Sequence, residues 1–316
     1  MALLHSSIAC WDHVRGAMFV SGALRRGVGR IPGIRTAYFA FRSAQRREAL
    51  LDAVRQERLV DAWGLRTDRT RNPLTAHPRR YWSQSDEDGI LEKILRRTGP
   101  RDSGTFIEYG VGNGSECNAL MLLAQGWKGA WISGQDLMFT PRPDGRLSFQ
   151  HTWVTRANVL ELTRKARSDL GHSTVDVVSC DLDGNDFHLT ETLLDSGLRP
   201  KVWIAEYNAR FPVGVVWAIE YSDTHTWSGD DYFGASISAF AELFENRGYF
   251  PAACSATGAN VFFVSNEFRD RFQDIPQDLE AIYQPPLYNL APKWGHTPSA
   301  RTLSSLKRPR FDAASL

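Results

Sequence analysis

No apolar run in the 316 residues approaches the roughly 20 that a membrane-spanning helix needs, so a membrane-embedded fold is not expected. Cysteine is scarce. Cys10, Cys117, Cys180 and Cys254 are scattered with neither metal-ligand nor disulfide spacing, which argues against a zinc module or a disulfide scaffold and fits a reducing cytoplasm. Internal repeats and low-complexity tracts are missing, so a solenoid is not expected. The short apolar stretch Ala17-Met18-Phe19-Val20 is preceded by Asp12 and followed by no secreted pattern, so it is not read as a signal peptide. Lysine is absent from residues 1–80, yet these hold 15 Arg against 6 acids, a local charge of +9. Because the whole chain carries only +1, the remainder carries −8.

What is present points to a soluble α/β enzyme. A hydrophobic fraction of 42% is ordinary for a globular chain, and 316 residues suit one doubly wound sheet with a helical extension. Three parts are expected: a basic, mainly helical extension over 1–80, a catalytic domain over 81–270, and a tail over 271–316. Within the extension, residues 43–63 are rich in helix formers, with Leu50, Leu51, Val54 and Leu59 available for a packed face. The arginine-rich arm can be a solvated helical face, or it can contact an anionic membrane surface, a phosphorylated substrate or RNA. A cytoplasmic protein, peripheral to the membrane if the arm binds lipid, is the expectation.

The chain is organised around residues 105–117. An apolar strand, Thr105–Tyr109, runs into Gly110-x-Gly112-x-Gly114, and a helix is predicted from near Ser115. Glycines at these positions allow a sharp turn and let a ligand approach the backbone. A nicotinamide fingerprint places its third glycine one position later, where this chain has Ser115. Glu108 sits at the carboxyl end of the strand, where a carboxylate suits a cationic cofactor. Further strands are predicted at 129–133, 149–154, 175–181 and 202–207, with helices at 158–170 and 235–247 between or after them. The β-α-β alternation implies a parallel sheet. Two last strands, 250–254 and 260–264, are joined by five residues and must be antiparallel. Ser85 is the predicted N-cap of a helix whose first turn is acidic.

These features resemble the class I S-adenosylmethionine-dependent methyltransferases, more narrowly the FkbM-type sugar methyltransferases. The likeness continues through residues 83–95, 180–189, 204–212 and 230–240, and covers roughly 81–265. It implies a mostly parallel, Rossmann-like sheet of seven strands with an antiparallel C-terminal hairpin, and S-adenosylmethionine held by Gln84, Glu108, Gly110, Gly112, Gly114 and Asp181. The family pattern has an acid for the cofactor ribose at the end of the second strand. Here Ser133 stands in that place, with Asp136 as the substitute.

Strand four ends in Asp181-Leu182-Asp183-Gly184-Asn185-Asp186 and strand five in Glu206-Tyr207-Asn208. Period-two alternation places Asp181 with Asp183, and Glu206 with Asn208, on common sides. Crowded carboxylates repel unless a proton or a cation intervenes. A divalent metal, Mg²⁺ first, resolves the crowding, and metal-dependent sugar O-methyltransferases acting on macrolides have a similar cluster. Asp183, Glu206 and Asn208 are the implied ligands. Asp186, His188 and His225 are the candidate bases for the acceptor hydroxyl. The aromatic and acidic stretch 217–234 reads as a substrate wall for a sugar or glycan. Two alternatives stand beside this sugar O-methyltransferase. One is an RNA methyltransferase using the basic arm, although no RNA module is recognisable and nucleic acid is not the expected partner. The other is a binding module with the cofactor fold and no turnover.

Overall fold

The computed structural model describes residues 69–288 apart from 77, 100–102, 143 and 144, together with scattered helical positions between 40 and 58. Chain contacts divide the protein into two units after Gln56. In the first unit residues 43–48 are helical as predicted, and Leu50, Leu51 and Val54 are exposed. Leu59, the segment 1–30 and the final residues 298–316 lie outside the described positions.

The second unit is built on one seven-stranded sheet. Its strands are β1 (Thr105–Tyr109), β2 (Lys128–Ser133), β3 (Leu147–His151), β4 (Val177–Cys180), β5 (Val202–Glu206), β6 (Tyr249–Cys254) and β7 (Asn260–Ser265). They lie in the order β3-β2-β1-β4-β5-β7-β6. The first five are parallel, and β7 runs antiparallel between β5 and β6. The predicted α/β sheet with an antiparallel hairpin is therefore present.

Among the described residues six α-helices accompany it: α1 (Glu87–Thr98), α2 (Leu120–Ala124), α3 (Val159–Leu170), α4 (Asp186–Asp195), α5 (Ile237–Glu245) and α6 (Leu279–Ile282). Alternation along each strand sends successive side chains to opposite layers. Ile107, Val178, Trp203 and Phe263 join Val159, Leu193 and Phe240 in one apolar layer under α3, α4 and α5. Phe106, Val177, Ile204 and Phe262 join Ile90, Ile94 and Leu122 in the other, under α1 and α2. With both faces covered, the central strands are buried along their length and mostly apolar, with Thr105, Glu108 and Ser179 as buried polar exceptions. No helix among the described residues is long and apolar enough to cross a membrane.

Two predicted helix starts differ from the structure. α2 begins at Leu120, five residues after Ser115, because the intervening amides are used elsewhere: Ser115 N–H donates to the Asn113 side chain, and Asn118 N–H and Ala119 N–H donate to Glu108. At α1, Ser85 is not the cap. Asp86 precedes the helix without a side-chain capping bond, and Ser85 donates through both N–H and hydroxyl to Glu87.

The acids of this segment act as fasteners instead. Asp88 Oδ2 accepts from the backbone N–H groups of Tyr81, Trp82 and Ser83 at 2.6, 2.8 and 2.9 Å. Asp86 accepts from Ala256 N–H in the β6–β7 turn at 2.6 Å and pairs with Arg69 at 2.6 Å. Arg69 also donates to the Cys254 carbonyl. Residues flanking the expected 81–270 domain thus share its core: Leu74 on one side, Phe272, Ile275, Ile282 and Leu287 on the other are buried.

The Arg69–Asp86 pair is largely buried, and removing one partner of such a pair strands the other charge. Arg69→Ala is expected to destabilise the protein by about 3 kcal/mol, measured as a fall in the urea midpoint. A loss below about 0.5 kcal/mol would instead mark the pair as solvated.

Candidate functional site

Strand order reverses between β1, which leads to β2 on one side, and β4 on the other. Ligands of open α/β sheets bind outside the carboxyl ends of strands at such a point. The chain leaving β1 turns there through Gly110 and Gly112, with φ of +84° and +52°. At Gly110 glycine is required twice over, since a Cβ would stand 1.5 Å from the Asp181 carbonyl oxygen. β1 and the loop after β4 are thereby in backbone contact.

Two cavities flank that contact. A 270 Å³ cleft is lined by Gly110, Gly112, Ser133, Asp181, Asp183 and His225, with Trp153 and Trp227 among its other walls. A 120 Å³ cavity on the other side is lined by Gln84, Glu108, Asn118 and Asn260, and shares Gly110 and Asp181 with the cleft. Among the described residues, neither is lined by Lys or Arg.

The acids supply the dominant electrostatics. Asp181, Asp183 and Glu206 each offer a carboxylate oxygen within 4.8 Å of the others. Loss of hydration, then the neighbouring Asp183 and Asp186 charges, holds the Asp181 carboxyl well above its usual range. Burial, followed by Asp181, does the same for Glu206, and loss of hydration raises Asp183. Glu206 Oε2 is buried without a hydrogen-bond partner. Asp183 has φ of +54°, a left-handed conformation that Asp tolerates better than most residues and that turns the chain after β4. An all-oxygen donor set of this kind suits a hard divalent cation.

The structure distributes the other expected residues differently. Asn208 is not in the acid group. β5 ends at Glu206, so alternation no longer governs Asn208; its amide donates to the Asp231 and Phe233 carbonyls at 2.8 and 3.0 Å, and its oxygen accepts from Arg210 N–H. Asp181 takes its place among the clustered acids. Asp186, fully buried at the start of α4, accepts from Leu182 N–H at 2.6 Å and Gly184 N–H at 2.9 Å, fixing the loop that carries Asp183. Burial lifts its carboxyl to about 6 against the effect of those N–H groups. His188 contacts the Ile219 carbonyl through Nε2 at 2.7 Å and Arg156 through Nδ1 at 3.1 Å.

Ser133 lies in the cleft, where its hydroxyl donates to the Gly112 carbonyl and accepts from Gln135 N–H. Asp136 does not substitute for a ribose acid there; its side chain is 92% exposed and faces His151 at 3.3 Å. Gln135 occupies that stretch of the cleft wall. Gly114 packs against Trp131 and Phe139 and lines neither cavity. Gln84 and Glu108 meet in the smaller cavity, yet both Glu108 oxygens are already engaged by Asn118 and Ala119 N–H, at 2.6 and 3.3 Å.

Two features of the site carried no sequence signal. Asn118, Asn260, Ser179 and Glu87 form a buried polar chain: Asn118 donates to Ser179 and Asn260, and Asn260 donates to Glu87. It joins β4, β7, α1 and the segment before α2, so no local pattern announces it. Trp153, expected inside the third strand, lies beyond its end and donates to the Asp223 carbonyl at 2.8 Å. The expected wall, 217–234, does reach the cleft through His225, Thr226 and Trp227. No protein-family model matches this sequence, and no curated protein matches it.

Burial raises the Glu108 carboxyl from its ordinary 4.5 to about 7, partly opposed by the Asn118 and Ala119 N–H groups. Between those values the folded protein holds a proton that the unfolded chain has released, so stability falls as pH rises through the window. Glu108→Gln is therefore expected to gain on the wild type by up to about 3 kcal/mol between roughly pH 4.5 and pH 8, in urea melts at each pH. A difference independent of pH would mean that Glu108 titrates normally. Gly110→Ala should fail more simply: the 1.5 Å overlap is with backbone, and a loss of soluble, folded protein on expression is expected.

Proposed function

We propose that the protein is an S-adenosylmethionine-dependent O-methyltransferase acting on a sugar hydroxyl of a glycan or glycosylated metabolite, assisted by a divalent cation. The observation that carries this is the meeting of the glycine turn after β1, the end of β2 and the acids after β4 in one cleft at the strand-order reversal. A pyrophosphate cofactor would require donors and positive charge. This cleft offers carboxylates and no Lys or Arg, which favours a cationic sulfonium cofactor over an anionic one. The strand order, with β7 antiparallel between β5 and β6, agrees with the class I resemblance.

In this proposal the backbone at Gly110 and Gly112 takes the cofactor, Ser133 and Gln135 contact its ribose, and Gln84 closes the smaller cavity beside it. Asp181, Asp183 and Glu206 would hold the cation, and the unpartnered Glu206 Oε2 is the strongest mark that an occupant fits. A bound Mg²⁺ would supply charge balance among the acids and Lewis acidity toward the acceptor hydroxyl. Asp186 holds the Leu182 and Gly184 amides and so orients Asp183. Trp227, half-exposed at the cleft, offers an aromatic face for a sugar ring.

A second proposal, a binding module without turnover, is favoured by one observation: no acid faces the cleft at the end of β2, where Ser133 stands and Asp136 turns to His151.

Isothermal titration with S-adenosylmethionine and S-adenosylhomocysteine tests the first step, and absence of heat from folded protein would sink the methyltransferase proposal. Exhaustive chelation, and separately Asp183→Asn, is expected to abolish methyl transfer while leaving cofactor heat nearly unchanged. Full turnover after chelation would remove the cation from the proposal. Any methyl transfer to a glycan by the wild type would end the non-catalytic alternative.

A further inference from the structure

We propose that His225 is the general base that takes the proton from the acceptor hydroxyl, an assignment that rests on the function proposed above. His225 Nε2 is buried and has no hydrogen-bond partner, and the residue lines the same cleft as Asp181 and Asp183. An unpaired buried ring nitrogen costs free energy unless something comes to meet it, and a substrate hydroxyl in the cleft would do so. The other two candidates are committed. Asp186 is engaged by two backbone N–H groups, and both ring nitrogens of His188 are in contact with the Ile219 carbonyl and Arg156.

The fold makes room for this ring. A Cβ on Gly184 would stand 2.2 Å from His225 Cδ2 and 2.8 Å from Nε2, so the imidazole lies where only glycine lets it lie. Gly184 is also the immediate neighbour of Asp183 and hydrogen-bonds the His225 segment twice removed, its carbonyl accepting from Gly234 N–H at 3.0 Å. His225 N–H donates to the Ser222 carbonyl, which also accepts from the Asn185 amide at 2.7 Å. The base and the acid cluster are therefore tied to the same turn, 183–185. Asp230, five residues further along the same loop, accepts from Tyr232 N–H and the Ser228 hydroxyl, which chiefly hold its carboxyl low.

The step balances without another reactant. The acceptor O–H proton passes to Nε2, the oxygen lone pair forms the new bond to the methyl carbon, and the carbon–sulfur bond breaks with its electrons remaining on sulfur. The sulfonium charge is thereby exchanged for that of the imidazolium. S-adenosylhomocysteine leaves neutral at sulfur, and the methyl ether remains.

The test uses the full chain, Mg²⁺, methyl-labelled S-adenosylmethionine, and the methyl glycosides of glucose, galactose, mannose and rhamnose as acceptors. His225→Asn is expected to lower kcat by about 100-fold to 10⁴-fold with KM and cofactor heat nearly unchanged. Added imidazole should restore part of the rate to His225→Ala, which a structural role would not allow. Gly184→Ala leaves every ionisable group in place but displaces the ring, and a fall of about 100-fold is expected. Undiminished kcat in His225→Asn, beside an active wild type, overturns the base alone. Loss of rate together with cofactor heat, without imidazole rescue, assigns His225 to structure and overturns the base as well. A wild type that binds no cofactor and methylates none of the glycosides overturns the proposed function first, and this assignment with it.

Discussion

Ionised carboxylates do not share a desolvated site unless a proton or a cation joins them. That constraint governs the carboxyl edge of this sheet. Asp181 and Glu206 stand at the ends of the adjacent parallel strands β4 and β5, and Asp183, itself in the left-handed conformation, lies close to both. Strand spacing of about 4.8 Å brings the ends this close as soon as the two strands pair. The crowding is thus built into the topology. Contact between Gly110 and the Asp181 carbonyl then sets the glycine turn against the same acids.

The acids around this cluster have a different use. Asp88, Asp86, Glu108 and Asp186 each accept two or more hydrogen bonds from backbone N–H groups or an arginine in loops at the carboxyl edge. Loops there have few ladder partners, and buried backbone donors need acceptors. Carboxylates supply them, and one residue can serve several amides at once. One criterion then applies oxygen by oxygen, whether a protein donor already reaches it, and Asp88 Oδ1 does not meet it despite the three N–H groups on Oδ2. Glu206 Oε2 does not meet it either. The same criterion separates His225 from His188.

Much of the fold was legible in the chain. Mostly apolar runs at 177–180 and 202–205 mark strands buried on both faces, and the five-residue link at 255–259 forces β6 and β7 to be antiparallel. α4 was legible and overlooked. Its buried residues, Asp186, Leu189, Thr190, Leu193 and Leu194, follow helical spacing, but two are polar and the stretch opens among acids already taken for a site. The early start assigned to α2 has a similar origin, because the amides of residues 118 and 119 are satisfied by a carboxylate ten residues earlier in the chain.

Sequence alone determined the layer architecture, the position of the glycine turn and the set of acids and histidines at the strand ends, because periodicity and turn chemistry are local properties. Only the tertiary structure decided which of those groups face one another. Asn208 was expected beside Glu206, but the strand stops at Glu206 and its amide holds the 231–233 loop. Asp136 was expected in the cleft, but it lies in solvent against His151. The partners of Asp186 and His188, and the absence of one for His225 Nε2, depend on segments up to about 40 residues apart in the chain. A hydrogen bond is used up by whichever donor or acceptor the packed chain brings to it, and that accounting exists only after the chain has folded.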